Sequence, residues 1–317
     1  MPDDRPFHGP GALRHPGLRT RRLTRVEPVA RVPFRLQADR GVIRGDIRLP
    51  TEGRATVAGS GRADTALVVC HGFKGFKDWG FFPAVCEDLA IRVGCPVISI
   101  NFSGSGVGPD LGTFSDPEAF ATNTFSREVS DLEAVLNGLA AGRLGEAMLT
   151  PPSRVGLVGH SRGAIPVVLV GARRPAVQAI ATWSGLARPD RYAELFPSDA
   201  DPDQAVEIRN MRTGEILLLR RDVLDDLREN HETLDPLAAL RSGGPPLLVI
   251  HGENDEAVST DDAEMYAKAG TDAELTVLES TGHTFDVRHP YVGSTPALER
   301  AVSRTVAHFR KHIPKEL

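Results

Sequence analysis

Residues 154–164 read Arg154-Val155-Gly156-Leu157-Val158-Gly159-His160-Ser161-Arg162-Gly163-Ala164. An apolar run of strand length feeds directly into a Gly-x-Ser-x-Gly turn. The apolar Ile165-Pro166-Val167-Val168-Leu169-Val170 behind it reads as a helix. Strand, sharp turn and helix in that order are the setting in which a serine is presented as a nucleophile. The turn strains the serine backbone, and a β-carbon two residues to either side would strike the crossing strand and helix, so both outer positions need glycine. The serine hydroxyl then stands at a helix N-terminus, where developing negative charge is favoured. A Gly-rich turn of purely structural use is the alternative, and the flanking strand and helix weigh against it.

A nucleophilic serine needs a base, and the base needs a group to orient it. Downstream, Pro245-Pro246-Leu247-Leu248-Val249-Ile250-His251-Gly252 is a short apolar strand that ends in the acidic Glu253-Asn254-Asp255-Glu256. In open α/β sheets functional side chains sit just beyond the carboxyl ends of strands, and Asp255 falls there. Glu253 and Glu256 are its rivals, the first read as a strand-end residue and the second as a solvated carboxylate. A further strand, Glu274-Leu275-Thr276-Val277-Leu278, leads to Ser280-Thr281-Gly282-His283, again a loop past a strand end. Ser161, Asp255 and His283 thus follow the chain order nucleophile, acid, base.

On these segments the chain resembles the α/β-hydrolase superfamily, in its serine esterase and dienelactone-hydrolase-like branch, over roughly residues 30–312. The strand Thr65-Ala66-Leu67-Val68-Val69-Cys70 followed by His71-Gly72-Phe73 matches the position of the loop that completes the oxyanion hole. The resemblance implies the backbone N–H groups of Phe73 and Arg162 as the two donors. It also implies an α/β fold with a mostly parallel central sheet, helices on both faces and a lid insertion. One departure stands out: dienelactone hydrolases proper carry a cysteine nucleophile, and this position is Ser161, so lactone opening is not implied.

The remaining pattern agrees. Val85, Leu89 and Val93 put one apolar face on a helix over 83–93, and Val129, Leu132, Val135, Leu136 and Leu139 do the same for one over 123–139. Cys95–Phe102 and Val177–Trp183 read as buried strands, and strands joined by helices predict a mostly parallel sheet. Ser103-Gly104-Ser105-Gly106-Val107-Gly108 lacks the Lys-Ser/Thr ending of a phosphate loop and is expected to be a flexible active-site rim. Alternating residues over 32–49 predict a hairpin of solvated edge strands, turning near Ala38-Asp39-Arg40-Gly41. Between Ser184 and Leu240 the alternation breaks, and by the resemblance this stretch is the lid. The expected organisation is therefore a flexible arm over 1–25, a core over 26–184 and 241–317, and a lid over 185–240. Arg209 and Arg212 either hold a substrate carboxylate or are surface charges beside Asp225 and Asp226, the plainer reading. Phe73, Phe76, Trp79, Phe81 and Trp183 suggest an aromatic entrance, and His71, Phe76, Trp79 and Trp183 are the expected substrate pocket.

Composition bounds the function. A chain of 317 residues with 41% hydrophobic content suits one large α/β domain with an insertion. No apolar run reaches the roughly 20 residues that span a bilayer, so no membrane partner is expected. Thirteen arginines against six carboxylates make residues 1–62 net +7, leaving −12 for the rest of a chain of net charge −5. That asymmetry can mark a nucleic-acid arm. Here the alternation of arginines with apolar residues favours wet strand faces, and no nucleic-acid partner is expected. Arg21-Arg22 lacks the apolar stretch of an export signal. Cys70, Cys86 and Cys95 read as buried thiols suited to a reducing cytoplasm. Neither a metal site nor a cofactor is indicated.

The expected activity is hydrolysis of a small-molecule carboxylic ester through an acyl-enzyme on a Ser161-His283-Asp255 triad. An acylaminopeptidase-like amide hydrolase and an acyltransferase use the same triad. A non-catalytic ligand receptor on the same fold is the alternative of another class, and a homodimer is compatible with all of them.

Overall fold

The computed structural model describes residues 29–50, 64–197, 205–210 and 214–313. The expected arm over 1–25 and Arg212 lie outside them. Alternation across a tight turn makes the first hairpin: β1 (Val29–Ala38) pairs antiparallel with β2 (Gly41–Pro50) about Asp39 and Arg40. β3 (Thr65–Cys70) is buried at every residue, as a strand covered on both faces must be. α1 (Phe82–Leu89) buries Phe82, Val85, Cys86 and Leu89 and continues as one π turn, Ala90–Gly94, into β4 (Val97–Asn101).

α2 (Pro117–Ala121) and α3 (Phe125–Ala140) follow. α3 starts two residues later than its apolar spacing predicts, because the Thr124 hydroxyl caps it by accepting the Arg127 N–H at 3.2 Å. A two-residue hairpin, β5 (Arg143–Leu144) with β6 (Ala147–Met148), precedes β7 (Arg154–His160). A 3-10 turn at Ser161–Gly163 opens α4 (Ala164–Arg173), which leads to β8 (Val177–Trp183).

Next come a 3-10 segment at Pro189–Leu195, the ribbon β9 (Val206–Arg209) with β10 (Ile216–Leu219), and helices α5 (Asp222–Glu229) and α6 (Pro236–Arg241). β11 (Leu247–Gly252), α7 (Thr260–Ala269), β12 (Ala273–Leu278) and α8 (Pro296–His312) complete the described chain.

Eight strands form one sheet in the order β1-β2-β4-β3-β7-β8-β11-β12. β4, β3, β7, β8, β11 and β12 run parallel, and β2 is antiparallel to both its neighbours. Successive strand residues point to opposite faces, so the sheet carries two apolar layers. Val69, Val158 and Ile250 meet α1 and α8 on one face. Val68, Leu157 and Val249 meet α3, α4, α6 and α7 on the other. A third cluster, including Leu186, Tyr192, Phe196, Ile208, Leu219 and Val223, packs the segment after β8 against Phe125 of α3 and Ile165 and Leu169 of α4.

Two expectations need correction. β2 is no edge strand: it is paired on both sides, and its polar Asp46 and Arg48 are buried. Asp46 accepts Lys77 Nζ at 2.6 Å and lies 2.8 Å from Arg31, while Arg48 donates to Ser99 Oγ at 2.9 Å. Residues 103–108 are a packed turn and no flexible rim. All six are buried; the Ser103 N–H donates to Asp131 at 2.6 Å, and Arg127 Nε donates to the Ser103 hydroxyl at 2.8 Å.

Candidate active site

The carboxyl ends of β3, β7 and β11 and the loop after β12 converge on one cavity of about 530 Å³. Ser161 is half-buried and has φ 57°, a left-handed backbone forced on a residue that has a side chain. The turn tolerates only glycine around it. A Cβ at position 159 would come within 2.4 Å of the Gly163 carbonyl oxygen, and one at 163 within 2.4 Å of the His71 carbonyl oxygen. The loop after β3 passes directly over the serine: a Cβ at Gly72 would lie 2.6 Å from Ser161 Cβ. Phe73 and Arg162 therefore flank Ser161 and line the cavity with it.

His283 lines the same cavity from the loop after β12, and its Nδ1 is 2.8 Å from Asp255 Oδ2. Asp255 Oδ1 accepts the N–H groups of Ala257 and Val258, each at 2.9 Å. Burial alone would raise the Asp255 pKa, but the hydrogens of His251 and His283 and the Val258 N–H hold it well below the usual carboxylate range. Asp255 is thus an anion fixed against His283. The rivals are elsewhere: exposed Glu253 accepts the Ser280 N–H at 2.9 Å, and Glu256 is exposed. His160 Nε2 meets the His283 carbonyl at 3.0 Å, and the two rings lie 4.8 Å apart. A carbonyl only accepts, so that nitrogen carries the hydrogen and steadies the loop of His283. Among the described residues no hydrogen bond joins Ser161 Oγ to His283.

The expected pocket residues are misplaced. Phe76, Trp79 and Trp183 are buried in the layer under α1 and α8, where Trp183 donates to Thr305 Oγ1 at 3.0 Å. Phe81 lies in the same layer. His71 is buried with Nδ1 2.8 Å from the Gly72 carbonyl and Nε2 accepting the Phe102 N–H at 3.3 Å. None of these five lines the cavity. Large aromatic side chains near a strand end were pulled into the core by the area they bury. The walls come instead from Phe73, Leu186, Tyr192, Leu195, Ile208 and Val258, with Lys74, Arg191, Glu194, Glu207, Arg209 and Asn210 also lining it. Arg209 is therefore at the cavity. Asp225 pairs with Arg228 at 2.9 Å, and Asp226 accepts the Ser126 N–H at 3.0 Å, so neither carboxylate engages Arg209.

Three further groups escaped the sequence reading. The Arg162 side chain is buried, its Nε 2.9 Å from Glu128, its guanidinium carbon 4.0 Å from the Phe125 ring centroid and 4.7 Å from that of Tyr192. Burial would lower the Arg162 pKa, but the charges and hydrogen bonds of Glu128 and Tyr192 together outweigh it, and the group stays cationic. Glu128 was visible in principle: it interrupts the apolar stripe of α3 between Phe125 and Leu132. His251 sits at the end of β11 with Nε2 3.2 Å from Asp255 Oδ2.

Residues 67–293 match the sequence model of the alpha/beta hydrolase family. No curated protein sequence matches the chain. Among solved structures it is similar to Est1E from Butyrivibrio proteoclasticus with ferulic acid bound (20% identity, TM-score 0.65, 89% of this chain and 99% of that one). The esterase domain of a Rhodothermus marinus protein is similar at 19% identity and TM-score 0.60, covering 90% of this chain and 99% of that one. A puromycin-hydrolyzing peptidase of Mycobacterium tuberculosis is similar at 16% identity and TM-score 0.59, over 90% of this chain and 40% of that one. At these identities the likeness is one of fold. No helix among the described residues is long and apolar enough to cross a membrane.

Proposed function

The chain belongs to the alpha/beta hydrolase family, and from that premise we propose that it is a serine hydrolase cleaving carboxylic esters through an acyl-enzyme. The observation that carries this reading is the 2.8 Å hydrogen bond from His283 to buried Asp255, opening onto the cavity that Ser161 also lines. The ester branch itself rests on the sequence resemblance, as does the likeness to dienelactone hydrolases.

In the first half-reaction His283 takes the Ser161 proton as Oγ bonds to the ester carbonyl carbon. Asp255 holds the imidazole in the tautomer that leaves Nε2 free and steadies the imidazolium that forms. In unliganded sites such hydrogen bonds are long or unmade and tighten when substrate binds, which accommodates a Ser161 Oγ not yet bonded to His283. The tetrahedral oxyanion is received by the N–H groups of Phe73 and Arg162, donors of a kind worth about 3–4 kcal/mol each. The C–O bond to the alcohol breaks, and His283 returns its proton to the leaving oxygen. Water, deprotonated by His283, then attacks the acyl carbon; the bond from that carbon to Ser161 Oγ breaks, His283 returns the proton to Oγ, and the acid leaves. Of the expected lid, the described residues between β8 and α6 cover the site, with Leu186, Tyr192, Leu195 and Ile208 shaping the acyl or alcohol site, while α6 packs in the core layer.

Ser161→Ala tests this directly. The variant is expected to unfold at the wild-type temperature and to lose short aryl ester hydrolysis and labelling by a fluorophosphonate probe. Wild-type turnover in Ser161→Ala overturns the nucleophile. An aryl-ester and peptide-amide panel on the wild-type enzyme decides between ester and amide cleavage. A protein that binds esters without the probe labelling it is a receptor.

A further inference from the structure

The position of Asp255 depends on more than its own loop. β11 ends at His251-Gly252, and the chain then turns back on itself, so that Val258 lies beside His251. His251 is completely buried, its Nε2 2.9 Å from the Val258 carbonyl oxygen and 3.2 Å from Asp255 Oδ2. Because a carbonyl only accepts, the hydrogen is on Nε2. Nδ1 is buried without a partner among the described residues, so a second hydrogen there would have no acceptor. The single N–H therefore points at the carbonyl with the carboxylate beside it.

The geometry points to His251 as a positioning residue for the Asp255–His283 pair: it pins the Asp255 loop to β11 and shares Asp255 Oδ2 with His283. This rests on the reading of Asp255 and His283 as orienting acid and base. β11 is hydrogen-bonded to β8 on one side and β12 on the other, and His251 is registered with Val277 of β12. The loop it grips is also held by the Ala257 and Val258 N–H groups on Asp255 Oδ1, and at its start by the Glu253 and Asn254 N–H groups, which donate to the Leu278 and Thr281 carbonyls at 2.9 Å. His283 Nδ1 bonds Oδ2 at 2.8 Å, and the His251 N–H, directed at the Val258 carbonyl with its nitrogen 3.2 Å from the same oxygen, adds a positive dipole there that moderates the pull of Oδ2 on His283. The other titratable groups nearby act on the backbone of the His283 loop: His160 at the His283 carbonyl, Glu253 at the Ser280 N–H and Asp286 at the Gly282 N–H.

The experiment compares His251→Leu and His251→Gln with wild type in aryl ester hydrolysis across about pH 5–9. His251→Leu frees the Val258 carbonyl and returns the whole charge of Oδ2 to His283. Its kcat is expected to fall about 10- to 100-fold, the cost of misplacing a catalytic group by a fraction of an ångström to an ångström. KM should stay within about twofold, because the residue does not reach the cavity. The acid limb of the kcat/KM profile should move to higher pH, since an unshared carboxylate binds protonated His283 more tightly. His251→Gln, whose amide N–H reaches the same carbonyl, should restore most of kcat and the limb. His251→Asn, polar but too short to reach, replaces the Leu variant if that one does not fold, with the same losses expected. A folded Leu or Asn variant with wild-type kcat overturns the inference. So does a lower kcat with an unmoved acid limb, which marks a structural role only. Full turnover in Asp255→Asn would overturn the pair and this inference with it. An inactive Asp255→Asn beside an unimpaired His251→Leu overturns this inference alone.

Discussion

Arg162 shows how one residue carries two unrelated demands. Its backbone N–H follows the nucleophile and is proposed as an oxyanion donor, which any amino acid would supply. Its side chain is specific to this chain, paired to Glu128 at 2.9 Å and enclosed by Phe125, Tyr192 and Phe73. Asn123 holds the same carboxylate at 2.7 Å. A buried ion pair contributes little net stability, but removing one partner strands the other charge in apolar surroundings at a cost of about 3–5 kcal/mol. Arg162→Met and Glu128→Leu should each lower urea-unfolding stability by about that much. The double variant should recover most of the loss, because two apolar side chains in a well-packed site replace a pair without leaving a charge behind. Additive losses in the double variant would show that the two side chains do not act as a unit. The sign that such a pair existed was present in the sequence. Glu128 and Asp131 occupy the apolar face of α3 with Leu132 and Val135, a placement that demands a partner. What the one-dimensional pattern lacks is the identity of that partner, since Arg162 arrives from another element 34 residues away.

At the scale of elements, the strands and their order of appearance were legible because strand burial writes itself as apolar runs and as alternation. Helix ends were less so. Thr124 rather than Asn123 caps α3, a choice between neighbouring capping residues that only backbone geometry settles. The hairpin was read with its turn in place but with the wrong neighbours, because alternation reports two unlike faces and cannot tell water from a buried salt bridge. Asp46 is the case in point: it lies in a fully buried strand position, and its partners Lys77 and Arg31 differ sharply in exposure, 1% against 51%. Burial works against its charge, yet the hydrogen bonds from Arg31 and Lys77 hold the Asp46 pKa below the usual range. Lys77→Met should therefore cost about 3–5 kcal/mol in urea unfolding, the range for a buried pair broken on one side. Arg31→Ala, at the solvated end of the same network, should cost under about 1 kcal/mol. Equal losses in the two variants would mean that Asp46 does not distinguish its buried from its exposed partner.

Across the whole molecule, the fold was readable from its alternating strands and helices, and the three proposed catalytic residues share one sequence sign, a place past a strand end. The cavity walls were not readable, since they come from the segment after β8, whose packing on α3 and α4 follows no repeating pattern. Buried ionisable groups lie throughout the fold, and together they set how stability depends on pH. Burial pushes His71 and His308 down to about 4. Each is thus neutral in the folded protein over a range where the unfolded chain, with an ordinary value of 6.5, has taken up a proton. As pH falls from about 6.5 towards 4, each subtracts up to about 1.4 kcal/mol of stability per pH unit. Asp131 works the other way: burial raises it from 3.8 to about 6, so below pH 6 the folded state holds the extra proton and regains about 1.4 kcal/mol per unit. Two histidines against one carboxyl leave a net loss of about 1.4 kcal/mol per unit between pH 6 and 4. Glu128, also raised by burial, acts in the same sense as Asp131, so this slope is an upper bound. Below pH 4 the depressed carboxyls Asp46 and Asp255 take over, because the unfolded chain protonates them first and stability continues to fall. Urea unfolding at steps of about one pH unit, from about pH 8 down to about pH 4, should show a plateau above about 7 and a decline below it. His308→Leu provides the decisive control. It removes one of the two histidine contributions, so the slope between about pH 6 and 4 should collapse towards zero as His71 and Asp131 cancel. A variant that keeps the wild-type slope would show that His308 does not stay neutral in the folded protein.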